Sequence, residues 1–146
     1  MRMIELKSTD ELVAALSAAG LPTEDLGRPG QIFWRFADGD GRALGYAGLE
    51  GEGTNRLLRS VVVDAVARGR GHGRALVEAV VREAGKRDVE KLWLLTLDAS
   101  GFFEKAGFAR AVRGQVPAPI AATAEFRSLC PDTAVCITRD CSAQAR

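Results

Sequence analysis

The chain has 146 residues, 47% of them hydrophobic and 27% charged, with a formal net charge of +1. That length fits one domain with one substantial core. So balanced a charge gives no general attraction to nucleic acid or anionic lipid, and no apolar run approaches the roughly 20 residues that span a bilayer.

No basic region followed by an apolar segment and a cleavage site opens the chain, so a cytoplasmic protein is expected. Cys130, Cys136 and Cys141 are odd in number, clustered late and without Cys-x-x-Cys spacing, which argues against a disulfide framework. His72 is the only histidine. A zinc site built on histidines and a Ser-His-Asp triad are therefore not expected, and neither is a metal. Chemistry must run on carboxylates, hydroxyls, backbone donors or a borrowed group.

Residues 1–7 alternate apolar and polar, as a short strand does. Ser8-Thr9-Asp10-Glu11 reads as a capping box, the Ser8 hydroxyl and Glu11 carboxylate taking early N–H groups of a helix. Leu12, Val13 and Leu16 give that helix its apolar face, and Gly20 stops it. Pro22 and Leu26 suggest a second short helix before Gly27-Arg28-Pro29-Gly30 breaks it. An aromatic-rich strand over 31–37, a turn at Asp38-Gly39-Asp40-Gly41 and a return strand over 43–49 make a hairpin. After Glu50-Gly51-Glu52-Gly53 the chain enters a long strand, 56–63, third in an antiparallel meander.

Val61, Val62 and Val63 end that strand with stiff branched side chains. A loop follows with Gly69, Gly71 and Gly73 at every second position. Leu76, Val77, Val80, Val81 and Ala84 then recur at helical spacing. Strand, glycine loop and helix together expose the first-turn N–H groups of a helix to an anion. Glycine lets an oxygen approach the backbone and takes positive φ without strain, while Arg68, Arg70 and Arg74 add positive charge. The pattern points to a diphosphate or another compact polyanion. A P-loop would need Lys-Ser or Lys-Thr after the glycines. A dinucleotide fingerprint would need Gly or Ala at Arg74 and an acidic residue about twenty positions on, for which Asp98 is a loose match. A tight connection whose glycines solve only a backbone problem is the plain alternative.

Residues 91–97 are nearly all apolar and read as a strand buried on both faces. A short helix over 100–106 follows. Closing strands are expected over 109–116 and 133–139, with a loop at 116–119 and a short helix over 125–129 between them.

Arg68-x-x-Gly71-x-Gly73, preceded by Val61-x-Val63, resembles the acyl-coenzyme A signature of the GCN5-related N-acetyltransferases (GNAT). Gly101-Phe102-Phe103-Glu104-Lys105-Ala106-Gly107-Phe108 resembles that superfamily's second motif, an aromatic pair on a helix ending in Gly-Phe. The stretch from Val116 to Val135, with Leu57-Leu58-Arg59-Ser60 and Leu94-Leu95-Thr96, is similar to the second type of arsenic-resistance-operon N-acetyltransferase. The resemblance implies an α/β (α+β) fold in a single domain, with a mixed, mostly antiparallel sheet of about six to seven strands flanked by helices. It also implies acetyl-coenzyme A as co-substrate and a small-molecule amine as acceptor, possible amino-acid-like toxicants in arsenic resistance included.

In that reading Gly69 to Arg74, with Arg68 and His72, hold the diphosphate, and Val61 to Val63 take the pantetheine, with a backbone N–H near Val62 or Val63 facing the oxyanion. Phe102 and Phe103 form part of the cofactor wall or the core. Glu50 is the candidate general base; a solvated turn acid is its alternative. Arg59, with Ser60 and Thr96, falls on the acceptor side. Its planar fork would suit an oxyanion-bearing substrate, or else pair across a strand at the surface. The superfamily commonly has Tyr where this chain has Phe103, so proton donation to the departing sulfur passes to Ser100, Thr96 or water. With no such donor, transfer would be slowed without being abolished, and an acyl-coenzyme A binder that senses rather than catalyses is the alternative. The three cysteines, six and five residues apart, are not expected to gather around arsenic. A nucleic-acid role for the Arg-Gly run is disfavoured by the neutral net charge. A homodimer through the closing strands is expected.

Overall fold

The computed structural model describes residues 1–64, 69 and 71–141. Its strands are β1 (Arg2–Glu5), β2 (Gln31–Ala37), β3 (Ala43–Glu50), β4 (Asn55–Val63), β5 (Lys91–Thr96), β6 (Ala109–Arg110) and β7 (Val135–Asp140). The α-helices are α1 (Asp10–Ala18), α2 (His72–Lys86), α3 (Ser100–Lys105) and α4 (Ala118–Ala121). The seven strands follow the order β1-β2-β3-β4-β5-β7-β6. β1–β2, β2–β3, β5–β7 and β6–β7 pair antiparallel, and β4–β5 pair parallel. Two compact units share β4: Met1–Glu50 with Leu58–Val80, and Gly51–Leu57 with Val81–Arg146, so far as their residues are described. No helix among the described residues is long and apolar enough to cross a membrane.

In the first unit, register places Gln31, Phe33 and Arg35 opposite Glu50, Gly48 and Tyr46. Pleating turns these six positions to one face of the β2–β3 ribbon. Leu12 and Leu16 of α1 are fully buried and cluster with Phe33, joined by Tyr46 and Val62. Each such leucine contributes about 1.5–3 kcal/mol of transfer free energy. Gly48 is glycine because a Cβ there would run into the Phe33 ring. Gly45 points to the opposite face, where a Cβ would meet the Val62 carbonyl and, at 2.8 Å, Leu76 of α2. Trp34, Phe36, Ala47 and Leu49 are buried too, as are Leu76, Val77 and Val80 of the expected helical face.

In the second unit, Leu57, Trp93, Ile120, Phe126 and Cys136 form one cluster. The Trp93 indole N–H donates to Asn55 Oδ1 at 2.9 Å, fixing the start of β4 to β5. Val81 and Ala84, the rest of the α2 apolar face, are fully buried. The parallel β4–β5 ladder runs from Asn55↔Lys91 to Leu57↔Trp93. Arg113 donates to the carbonyls of Phe126, Cys130 and Pro131, closing the end of a π-helical turn at Glu125–Leu129.

Four local expectations are corrected. The capping box does not form: Ser8 Oγ accepts from the Asp10 N–H, but Glu11 turns to Arg35 and Tyr46. No helix forms over 22–26. Turns run there instead, and Gln31 Oε1 takes the Gly27 and Arg28 N–H groups. The strand expected over 109–116 is only Ala109–Arg110, because a 3-10 turn at Arg113–Gln115 and then Pro117 lead away from the sheet. Where a loop was expected, Pro117 caps the short helix α4, with Pro119 in its first turn.

Candidate active site

β4 and α2 bracket the glycine loop. Val61, Val62 and Val63 are half-buried at the end of β4, and the Asp64 N–H donates to the Leu44 carbonyl at 2.8 Å. Gly69 and Gly71 both sit in the left-handed region, at φ +82 and +76, and among the described residues nothing lies within 4 Å of where a Cβ would stand. A side chain at either position would be strained and would occupy that open space. α2 starts directly after, at His72, and its first turn holds no acidic residue. His72 and Gly73 are half-buried and Arg74 is exposed. Arg68 and Arg70 lie outside the described residues.

Glu50, Arg59 and Ser60 come together, but not as separate functional groups. Arg59 is buried rather than at the surface, its side chain 0% exposed. Its NH1 donates to Asp25 Oδ2 and to Glu50 Oε1, both at 2.6 Å, and its NH2 to Asp25 Oδ1 at 2.7 Å. Nε donates to Ser60 Oγ at 3.2 Å, and the Phe33 ring lies 5.8 Å from the guanidinium carbon. Ser60 itself is a buried residue at φ +59 in the middle of a strand. Such a conformation costs about 1–3 kcal/mol in a non-glycine residue and persists only where neighbours hold it. Gln31 completes the cluster: its Nε2 donates to the Asp25 carbonyl and to Glu50 Oε1. Burial would raise the Asp25 carboxyl, but the Arg59 hydrogen bonds and charge outweigh it and hold Asp25 below its ordinary 3.8. Among the described residues, the bonds that Arg59 and Gln31 donate to Glu50 both fall on Oε1.

Residues 29–110, more than half of the chain, match the family model described as an acetyltransferase (GNAT) domain. The chain belongs to the GNAT acetyltransferases. No protein of curated function matches it. Among solved structures, an acetyltransferase of the GNAT family from Staphylococcus aureus Mu50 is 19% identical, covering 96% of this chain and 98% of that one with a TM-score of 0.74. Tetrahymena GCN5 is 14% identical over 96% of each chain, with a TM-score of 0.74. An aminoglycoside 6'-N-acetyltransferase complexed with coenzyme A is 16% identical over 97% of each chain, with a TM-score of 0.70. These likenesses show the GNAT fold, a single α/β domain with a seven-stranded, mostly antiparallel sheet flanked by helices.

The second GNAT motif lies in the second unit. Phe103 is buried and packs edge-on against Phe102 at 5.0 Å and Phe108 at 5.4 Å, while Phe102 is exposed. Gly107, at φ +93, lets the chain turn so that the Phe108 N–H reaches the Phe103 carbonyl. Phe103 thus packs the core and offers no proton. Ser100 opens α3, and Thr96 Oγ1 accepts from the Ala99 N–H, which leaves the Thr96 hydroxyl proton to be donated elsewhere. Among the described residues no group of three or more His, Cys, Asp or Glu could hold a metal ion. Cys136 and Cys141 are buried and Cys130 half-buried, with no disulfide among them. Sequence reasoning missed Asp25 and Gln31. Their one signal was a carboxylate and an amide flanking Gly27-Arg28-Pro29-Gly30 in a segment short of helical pattern.

Proposed function

We propose that this GNAT chain transfers the acetyl group of acetyl-coenzyme A to the amine of a small molecule. The observation that carries the reading is the pair Gly69 and Gly71, left-handed and open, directly before the first turn of α2. Such a turn offers backbone N–H groups and the positive end of a helix to a diphosphate. Residues 69–74 would hold that diphosphate, and Val61–Val63 would carry the pantetheine. The coenzyme A complex of the aminoglycoside acetyltransferase, a structure of the same fold, supports this choice of ligand. When bound, the coenzyme supplies an activated acyl carbon. The chain's own part is to hold it, to place an amine beside it and to take the proton.

Glu50 takes that proton at Oε2, its other oxygen being engaged by Arg59 and Gln31. With Arg59 tied to two carboxylates, its role is to hold Glu50 rather than to receive an oxyanion of the acceptor. The acceptor class proposed is an amino-acid-like amine, an organoarsenical amino acid among them. Its support is the likeness of the 57–60, 94–96 and 116–135 stretches to the arsenic-resistance branch. The β6 edge, only Ala109–Arg110 long and followed by exposed Val112, is the side through which two copies would join; a monomer by light scattering overturns that.

Thiol release from acetyl-coenzyme A, measured against amino acids, an arsenic-bearing amino acid, a polyamine and an aminoglycoside, tests the reaction. Turnover with one class is expected, and Glu50→Gln should slow it by about 10²–10⁴-fold. Gly71→Glu should abolish coenzyme binding, since it puts a carboxylate on a strained backbone where the diphosphate belongs. Binding that survives Gly71→Glu removes the loop from the reading. Binding without turnover on any amine turns the chain into a sensor.

A further inference from the structure

We infer that the buried Asp25–Arg59 pair is a positioning unit for Glu50: Arg59 orients the carboxylate, and Asp25 limits the positive charge it feels. This rests on Glu50 serving as the base and extends that role to two residues outside the reacting atoms. Asp25 is 1% exposed and lies in a segment, residues 19–30, without helix or strand. If that segment needed only an anchor, an apolar side chain would serve, because an apolar pair in place of a buried ion pair is often neutral or stabilising. The distinguishing feature is the third partner. One nitrogen, Arg59 NH1, is shared at 2.6 Å by Asp25 Oδ2 and by Glu50 Oε1, and Glu50 is the more exposed of the two acids, at 16%.

The consequence is electrostatic. A bare guanidinium at hydrogen-bonding distance favours the carboxylate form and so weakens it as a base, typically by about 1–3 pH units. Asp25 grips the same guanidinium through two hydrogen bonds, one of them on the nitrogen that also meets Glu50, and its negative charge offsets the positive one. The shared nitrogen therefore fixes the direction of the Glu50 carboxylate. Among the described residues Glu50 meets Arg59 from β4 and Gln31 from β2, and behind Arg59 stands Asp25 of the 19–30 segment, on which Arg28 acts in turn. Exposed Glu52 follows on its own strand's trailing turn.

Carbon-13 carboxyl NMR on the full-length protein reads the effect without any acceptor. The Glu50 signal is assigned by its loss in Glu50→Gln, and its titration midpoint is then followed. In Asp25→Asn, Glu50 faces the Arg59 charge without Asp25 to offset it, and the midpoint should fall by about one unit or more. At the same time kcat falls while KM for acetyl-coenzyme A holds. A midpoint that stays or rises in folded Asp25→Asn overturns the inference. Removing one partner of a buried pair can cost the fold. If Asp25→Asn does not fold, the double replacement Asp25→Leu with Arg59→Met decides, for it removes both members of the buried pair and leaves Glu50, the more exposed acid, with Gln31. Its Glu50 midpoint should stay within about one unit of the native protein's while kcat falls, and a larger rise, the mark of an Arg59 charge that Asp25 did not offset, overturns the proposal. Unchanged turnover in Glu50→Gln ends Glu50 as the base. Lost turnover in Glu50→Gln with an unmoved Asp25→Asn midpoint, or with unchanged kcat in the double replacement, ends only the positioning role.

Discussion

Tyr46 is the single tyrosine of the chain. Its hydroxyl donates to Glu11 Oε2 at 2.8 Å, and Arg35 holds the other Glu11 oxygen at 2.8 Å. Burial first, then the bond to Glu11 and its negative charge, push the phenol up to about 12. A group whose folded value is raised contributes stability below its unfolded value, and that contribution disappears as pH climbs through the folded one. Tyrosinate absorbance in the native protein should therefore rise with a midpoint near 12, and near 10 once urea has unfolded it. Glu11→Gln should bring the native midpoint down without restoring 10, since burial remains. Asp25 behaves in the opposite sense. Its depressed carboxyl contributes stability above its ordinary 3.8, which is lost as pH falls through the lower folded value. Urea midpoints measured from neutral to strongly acid pH should drop on the acid side, and the Asp25→Leu, Arg59→Met protein should lack that part of the drop. At this scale Glu50 and Arg59 were legible as chemistry. Asp25 was not, because its partner lies 34 positions away and nothing local announces it.

Elements were legible where one rule decided them. The bounds of β2 followed from its aromatic run, and the buried face of α2 followed from its spacing. Both depend on burial, which sequence period records directly. The corrected elements share another cause. Glu11 could cap a helix or reach across to β2 and β3, and tertiary partners took it. The 22–26 segment could coil, but Gln31 and Arg59 pulled its polar groups inward. β6 stopped short because, one ladder bond further on, from the Ala111 N–H to the Cys136 carbonyl at 2.9 Å, the chain turns at Arg113–Gln115 toward Pro117. Gly45 tests the element scale. A methyl there would strike the Val62 carbonyl and Leu76, so neither β4 nor α2 could keep its distance from β3. Gly45→Ala should destabilise by about 1–3 kcal/mol, as overpacking does, seen as a lower urea midpoint. It should also weaken acetyl-coenzyme A binding, because Val62 belongs to the proposed pantetheine strand.

For the molecule as a whole, ligand linkage gives the broadest check. A ligand that binds only the native state at about 100 times its Kd adds about 2.7 kcal/mol. For a chain of this length each kcal/mol moves Tm by roughly 2–4 °C. Acetyl-coenzyme A should thus raise Tm by roughly 5–10 °C, by differential scanning calorimetry, and Gly71→Glu should erase the rise.

The chain has two tryptophans. Trp34 is buried in the first compact unit and Trp93 in the second. Nature has in effect wired each half with its own lamp. Trp93→Phe leaves emission from the half that carries Glu50, and Trp34→Phe leaves emission from the half that carries Phe103. Coincident denaturation curves from the two single-lamp proteins would mean that both halves melt as one cooperative body. Separated curves would mean that the half bearing the carboxylates can open while the other stays shut.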